Sequence, residues 1–291
     1  MNSLLPAQRM LLGIAIGDAF GAGYEFAKQT IDFTKYTPHP KFNQKPGMYT
    51  DDTQMSIAVA ELLLNEEQPT KEHFAKYFFT CFKRNPIKGY SKGFQKILEE
   101  ANSPEAMLKA IMPKSERNGA AMRSVPLGLM DFSLLIPYAT ANASVTHNTP
   151  KGIASSTIIA LLAHYQYHEE QIPRPDDIIP YIKDRATRKF LKESWDKPDM
   201  HKDVPADGMR TAGAVYHLLR TYRNPMDVLK AAVYLGGDVD TVASISLGIS
   251  LMHKPIPDDL YKGLINHTYG RDYLVELGKK LGAKYPSAHG R

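Results

Sequence analysis

Two short acidic clusters carry the residue types best suited to chemistry in this chain: Tyr49-Thr50-Asp51-Asp52-Thr53 and Gly236-Gly237-Asp238-Val239-Asp240-Thr241. Each opens an apolar stretch, where a helix would begin. One use of Asp and Thr at such a place is N-capping, which satisfies orphan backbone N–H groups and suits the helix dipole. The pair asks for more, because residues that must be buried follow each cluster at once. A carboxylate drawn towards a core needs hydrogen bonds, a basic partner or a cation. No Lys or Arg stands close enough in sequence to pair with either cluster. Carboxylate and hydroxyl oxygens suit a hard cation such as Mg²⁺ or Mn²⁺ rather than zinc. If the two helix starts meet, four carboxylates and two Thr hydroxyls could hold two such ions about 3.5–4 Å apart. An Asp-rich helix of terpenoid type is the competing use, but Asp51-Asp52-Thr53-Gln54-Met55 lacks a carboxylate one turn on.

Two further segments have a bland and a functional reading. Ile16-Gly17-Asp18-Ala19-Phe20-Gly21-Ala22-Gly23-Tyr24-Glu25-Phe26 is rich in small residues that let another backbone approach. Its Glu25 either ends a tightly packed helix at the surface or is aimed into the same pocket as the metals. In Ser115-Glu116-Arg117-Asn118-Gly119-Ala120-Ala121-Met122-Arg123 the Asn-Gly pair is either a turn or a cradle of backbone N–H groups for phosphate oxygens. His164 and His168 share one helix face but lack a third ligand, which reads as a solvated helix end rather than a zinc site.

The elements that must position these residues are helical. Residues 54–65 form a buried helix that leaves Glu61 and Asn65 polar. Thr149-Pro150 supplies a cap and first-turn proline for 151–168, and Asn224-Pro225 repeats the device before 226–235. Gly236-Gly237 stops that helix, Asp238 stands at an N-cap, and 241–252 begins again as a nearly all-apolar helix. A further helix covers 209–220. Strand alternation bounded by hairpin turns is missing. Helices apolar nearly all round belong inside a layered bundle. The sequence therefore predicts an all-α fold, one compact multi-helix domain over 1–291. The polar, Pro-rich stretch 171–207 reads as an insertion carrying the single Trp195.

Composition narrows the class. The chain has 291 residues, 43% hydrophobic and 23% charged, which is ordinary globular composition and excludes a disordered or collagenous protein. Cys81 is single, so an internal disulfide framework is excluded and a reducing, cytoplasmic compartment is expected. The net charge of +5 is spread out, apart from the lysines near Gly278-Lys279-Lys280. It favours an anionic small molecule slightly and lacks the concentrated stripe of a nucleic-acid binder. The apolar run Leu11-Leu12-Gly13-Ile14-Ala15-Ile16 is cut short by Asp18, far below the roughly 20 residues of a membrane span.

In their order and spacing, residues 18–25, 50–53, 118–123, Thr146-His147-Asn148 and 236–241 resemble the ADP-ribosylglycohydrolases over about 6–254. Asn85-Pro86-Ile87-Lys88-Gly89-Tyr90-Ser91-Lys92-Gly93-Phe94 also resembles the glycine-rich loop of many bacterial members. The resemblance implies an all-α fold with two Mg²⁺ or Mn²⁺ ions at the base of an ADP-ribose cleft. Carried over, Thr50, Asp51, Asp52, Asp238, Asp240 and Thr241 would be the metal ligands, with Asp51 and Asp240 shared between ions. Glu25 would act near the scissile bond, beside Asp51 and Asp240 in the catalytic group. Ser115, Asn118 and Gly119 would hold the distal ribose and diphosphate, His147 would lie beside the nucleotide, and Gly89 and Tyr90 would touch substrate. Val239 stands where many members have Thr, and Glu116-Arg117 replaces an aromatic and a glycine, so Arg117 is the expected stacking group. The implied reaction is hydrolysis at the ribose anomeric carbon, releasing ADP-ribose from a modified protein or small molecule, with nucleic acid a partner only as the modified acceptor. ADP-ribosyl-arginine is the expected acceptor because the 85–94 loop resembles that branch. The rival readings are a non-catalytic ADP-ribose-binding protein that retains the di-metal pocket, and a di-metal phosphodiesterase whose products would be AMP and ribose phosphate.

Overall fold

The computed structural model describes residues 4–26, 30–65, 68–195 and 203–287. Among these the chain forms fifteen α-helices and no sheet, with extended pairing limited to three isolated bridges. In chain order the helices are α1 Pro6–Gly21, α2 Asp51–Asn65, α3 Lys71–Arg84, α4 Lys92–Glu100, α5 Pro104–Ala110, α6 Gly119–Met122, α7 Phe132–Ser144, α8 Pro150–Glu169, α9 Pro175–Ile178, α10 Arg185–Ser194, α11 Gly208–Thr221, α12 Pro225–Tyr234, α13 Val239–Ser250, α14 Asp258–Gly263 and α15 Arg271–Lys284. Their buried apolar side chains form one contiguous cluster, and α1, α2, α8 and α13 are buried on nearly every side.

The central contact runs between α1 and α13. The small residues of α1 are what permit it. A Cβ on Gly17 would stand 2.3 Å from the Ala243 carbonyl oxygen, and one on Gly21 would stand 2.5 Å from the Asp240 Cα. The two backbones therefore touch, and the end of α1 delivers Glu25 beside the first turn of α13. The segment packs tightly, and its Glu25 is half-buried rather than at the surface.

Two side-chain caps fall where the sequence placed them, while Asp238, at the N-cap position of α13, makes no side-chain capping bond. Thr149 Oγ1 accepts the Gly152 amide at 3.0 Å to start α8, and Asn224 Oδ1 accepts the Met226 amide at 2.8 Å to start α12. Gly236 and Gly237 turn the chain between α12 and α13 with φ of 72° and 83°.

Four expectations need correcting. Helix α2 starts at Asp51 rather than at 54, so the acidic pair forms its first turn. Glu61, expected on a polar face, is buried and paired with Arg84, and it also accepts the Tyr273 hydroxyl. The stretch 171–207 is more than an insertion. It contains α9 and α10, and its Trp195 stacks on Tyr216 with ring centroids 4.5 Å apart. Its end clamps the second acidic cluster: the Val204 amide donates to the Gly236 carbonyl at 3.0 Å and the Val204 carbonyl accepts the Asp238 amide at 2.9 Å. His164 and His168, expected at a solvated helix end, are buried and half-buried and donate to the Gly128 and Leu129 carbonyls at 3.2 and 3.3 Å, a structural use.

Candidate active site

The first turn of α2 is capped from outside. Asp18 of α1, fully buried, accepts the Thr50 amide at 2.9 Å, the Thr53 amide at 2.9 Å, and the Thr50 and Thr53 hydroxyls at 2.7 and 2.6 Å. Burial raises its pKa, and these bonds pull it part of the way back. Capping duty at this helix start thus falls to Asp18, which leaves Asp51 and Asp52 to face the cleft. Sequence reasoning quoted Asp18 but gave it no role, because only the α1–α2 contact reveals its donors.

The two acidic clusters meet. Thr241 Oγ1 donates to Asp52 Oδ2 at 3.3 Å. Asp240 Oδ1 accepts the Thr241 amide at 2.8 Å. Asp238 accepts from Asn118 Nδ2, which also donates to Thr211 Oγ1 at 3.1 Å. Glu25 closes the group: ligand oxygens of Glu25, Asp238 and Asp240 all lie within 4.8 Å of one another. Glu25 is fastened at both sides. The next amide, on Phe26, donates to the Gly237 carbonyl at 2.8 Å, and His39 Nε2 donates to Glu25 Oε2 at 2.9 Å. The His39 tautomer follows from its other nitrogen, since Nδ1 accepts the Lys41 and Phe42 amides at 2.9 and 3.2 Å. His39 lies in an irregular segment without periodicity, so no sequence signal marked it.

Electrostatically the floor of the site is a crowd of buried carboxylates. Burial, then mutual repulsion, raises Asp51, Asp52 and Asp240 well above the usual carboxylate range. Burial pushes Asp238 up to about 6, against the Asn118 hydrogen bond. Asp52 Oδ1 is buried with no hydrogen-bond partner. Among the described residues the arginine and lysine ion pairs fall on other carboxylates, such as Glu61 with Arg84 and Glu116 with Lys151.

Above the carboxylates lies a cleft of about 450 Å³. Glu25, Asp51, Asp52, Gly89, Tyr90, Ser115, Asn118, Gly119, His147, Asp238, Asp240 and Thr241 all line it. Thr50 does not; it is buried behind, its hydroxyl turned to Asp18. Gly89, at φ 130°, rests against Asp51 so closely that a Cβ there would lie 2.0 Å from Asp51 Oδ1. Only glycine fits. Tyr90 anchors that loop by donating to Gln54 Oε1 at 2.7 Å, and Gln54 donates back to the Asn85 carbonyl at 2.6 Å. Phe94, Ile97, Ile111 and Met112 make an apolar wall, and the exposed Arg117 reaches the rim. Arg123 and Thr146 also line the cleft, and sequence reasoning gave neither a role.

A family model described as ADP-ribosylglycohydrolase matches residues 6–289. The chain belongs to the ADP-ribosylglycohydrolase family. Its similarity to ADP-ribosylhydrolase ARH3 of Xenopus tropicalis is 25% identity, covering 82% of this chain and 84% of that one. With ADP-ribosyl-(dinitrogen reductase) glycohydrolase of Rhodospirillum rubrum it is 26% over 81% of each, and with ADP-ribosylarginine hydrolase Tri1 of Serratia proteamaculans 24% over 89% and 76%. A solved ADP-ribosylglycohydrolase-related protein complex shares the fold with a TM-score of 0.74 at 21% identity, covering 97% of this chain and 98% of that one. For this ADP-ribosylglycohydrolase the reading of the motifs therefore stands for family, glycosidase class and all-α fold. No described helix is long and apolar enough to cross a membrane.

Proposed function

We propose that this ADP-ribosylglycohydrolase is a metal-dependent hydrolase that releases ADP-ribose from a modified acceptor, ADP-ribosyl-arginine foremost, by cleaving the bond at the ribose anomeric carbon. The observation that carries the reading is the meeting of two acidic helix starts with Glu25 at the floor of one cleft. The donor set fits a pair of Mg²⁺ or Mn²⁺ ions: all oxygen, crowded, short of cationic partners, and including the orphaned Asp52 Oδ1. Asp51, Asp52, Asp238, Asp240 and the hydroxyls of Thr50 and Thr241 would hold them. Thr50, which stands behind the cleft, donates its hydroxyl to Asp18 and would reach a cation only through its lone pairs. When bound, such ions supply positive charge that fixes vicinal sugar hydroxyls and makes a nearby water more acidic.

The chain's own residues then do the rest. Cleavage at an anomeric carbon passes through an oxocarbenium-like state, which a neighbouring carboxylate stabilises. Glu25, held by His39, serves as that carboxylate and takes or returns the proton of water or leaving acceptor. Asn118 keeps Asp238 aimed inward. Ser115, Gly119 and His147 form the end of the cleft for the diphosphate and distal ribose, and the apolar wall of Phe94, Ile97, Ile111 and Met112 excludes water beside them. The arginine preference rests on the 85–94 loop and accords with the name of one relative, the ADP-ribosylarginine hydrolase. The single contiguous core supports one catalytic domain. Free ADP-ribose measured from a panel of arginine-, serine- and nucleic-acid-linked substrates, with Mg²⁺ and then with EDTA, tests the proposal. Release from ADP-ribosyl-arginine that stops in EDTA is expected. Tight ADP-ribose binding with no turnover of any substrate, or AMP as product, would overturn it.

A further inference from the structure

Arg123 is among the most deeply buried charges in the molecule, and it has no carboxylate partner among the described residues. Its guanidinium lies over the Phe78 ring, 4.5 Å from the centroid. Nε donates to Asn142 Oδ1 at 2.6 Å, and Nη2 donates to the Asn142 carbonyl at 3.0 Å and to Thr146 Oγ1 at 2.9 Å. A guanidinium only donates. Thr146 Oγ1 is thus the acceptor in that bond, and its own proton is free to go to its remaining close neighbour, His147 Nδ1, at 2.6 Å. Where the hydroxyl donates there, Nδ1 cannot carry a proton, and the proton of a neutral His147 sits on Nε2.

That nitrogen faces the cleft beside Gly119: a Cβ on Gly119 would stand 2.8 Å from His147 Cε1 and 3.2 Å from Nε2. We propose that Arg123 and Thr146 are positioning residues that lock His147 as a neutral Nε2–H donor aimed at an anionic oxygen of the ligand, a diphosphate oxygen on the ADP-ribose reading. The identity of that oxygen rests on the proposed function; the tautomer does not. Burial and the Arg123 charge hold the His147 pKa down to about 3, so the donor keeps its form across the working range of pH. Arg123 also leaves its positive charge uncompensated at this end of the cleft, which attracts the same anion. A histidine here provides a hydrogen bond whose strength is independent of pH, where an ordinary exposed histidine would switch charge near neutrality.

The test is the ¹⁵N spectrum of the His147 ring in the full chain, recorded across pH with and without ADP-ribose. The expected result is an Nε2–H tautomer that does not titrate near neutrality and whose Nε2 signal moves when ADP-ribose binds. In T146V the ring is expected to become a mixture of tautomers and ADP-ribose to bind roughly tenfold more weakly, with T146S restoring both. An Nδ1–H ring in the parent protein, a ring that titrates like a free histidine, or an Nε2 signal unmoved by bound ADP-ribose would overturn the inference. The two readings fail separately. A chain that hydrolyses no acceptor but shows the expected spectrum sinks only the hydrolase, and an active enzyme with an Nδ1–H ring sinks only the donor assignment.

Discussion

Asp18 shows how much of a site can depend on a residue outside the cleft. Its two oxygens take four donors from Thr50 and Thr53, and those donors fix the start of α2 and the direction of Asp51 and Asp52. In Asp18→Asn one oxygen becomes an N–H₂ group facing donors. Leaving buried donors without an acceptor costs about 1–3 kcal/mol. Chemical denaturation should show a loss of that size, and Mg²⁺ affinity should fall with it; a variant unchanged in both would show that the cradle is incidental. Asp240→Ala acts at the other cluster, removing an oxygen that lies within 4.8 Å of those of Glu25 and Asp238. It should abolish Mg²⁺-dependent release of ADP-ribose, at least a hundredfold, while the chain stays folded by circular dichroism. Full activity in that variant would remove the metal from the account. These residues differed in how legible they were. Asp51, Asp52, Asp238 and Asp240 announced themselves by type and by the apolar runs behind them. His39, Thr146 and Arg123 did not, since their partners are set by folds of the chain that leave no local pattern.

At the scale of elements, the site depends on two backbones in contact. Gly17 and Gly21 bring α1 onto α13, and that contact sets Glu25 beside Asp240. Gly17→Ala would place a methyl group 2.3 Å from the Ala243 carbonyl, so the helices must part. Overpacking of this kind costs typically 1–3 kcal/mol. A lower melting temperature together with a disproportionate loss of kcat is expected; lost stability with kcat intact would show that the helix spacing does not govern the site. Helices were legible where periodicity and caps agree, as at Thr149-Pro150 and Asn224-Pro225, because a capping side chain and a first-turn proline act within a few residues. The start of α2 was read three residues late because its cap comes from α1, beyond any local window. The role of 171–207 was hidden for the same reason: Val204 pairs with Gly236 and Asp238 across the fold. Glu61 looked like a solvated position because its buried partners, Arg84 and Tyr273, come from α3 and α15.

For the whole molecule the carboxylate floor links stability, pH and cations. Asp51, Asp52 and Asp240 are raised well above 3.8 in the fold, and Asp238 to about 6. The folded chain therefore binds these protons more tightly than the unfolded one. Their contribution is fully present below about 3.8 and is lost as pH rises through about 6 and beyond. In EDTA the melting temperature should fall between about pH 5 and about pH 7.5. Divalent cation should restore it more at the higher pH, where ligand oxygens are free of protons; at a hundredfold excess over Kd the gain is about 2.7 kcal/mol. A melting temperature that rises over that range in EDTA would contradict the carboxylate cluster as described. The most direct measurement is calorimetric titration of the EDTA-treated protein with Mn²⁺, followed on the same sample by release of ADP-ribose from ADP-ribosyl-arginine. Two ions bound per chain, with release appearing as they bind, is the expected result; a chain that takes up no Mn²⁺ and still frees ADP-ribose at full rate would contradict it.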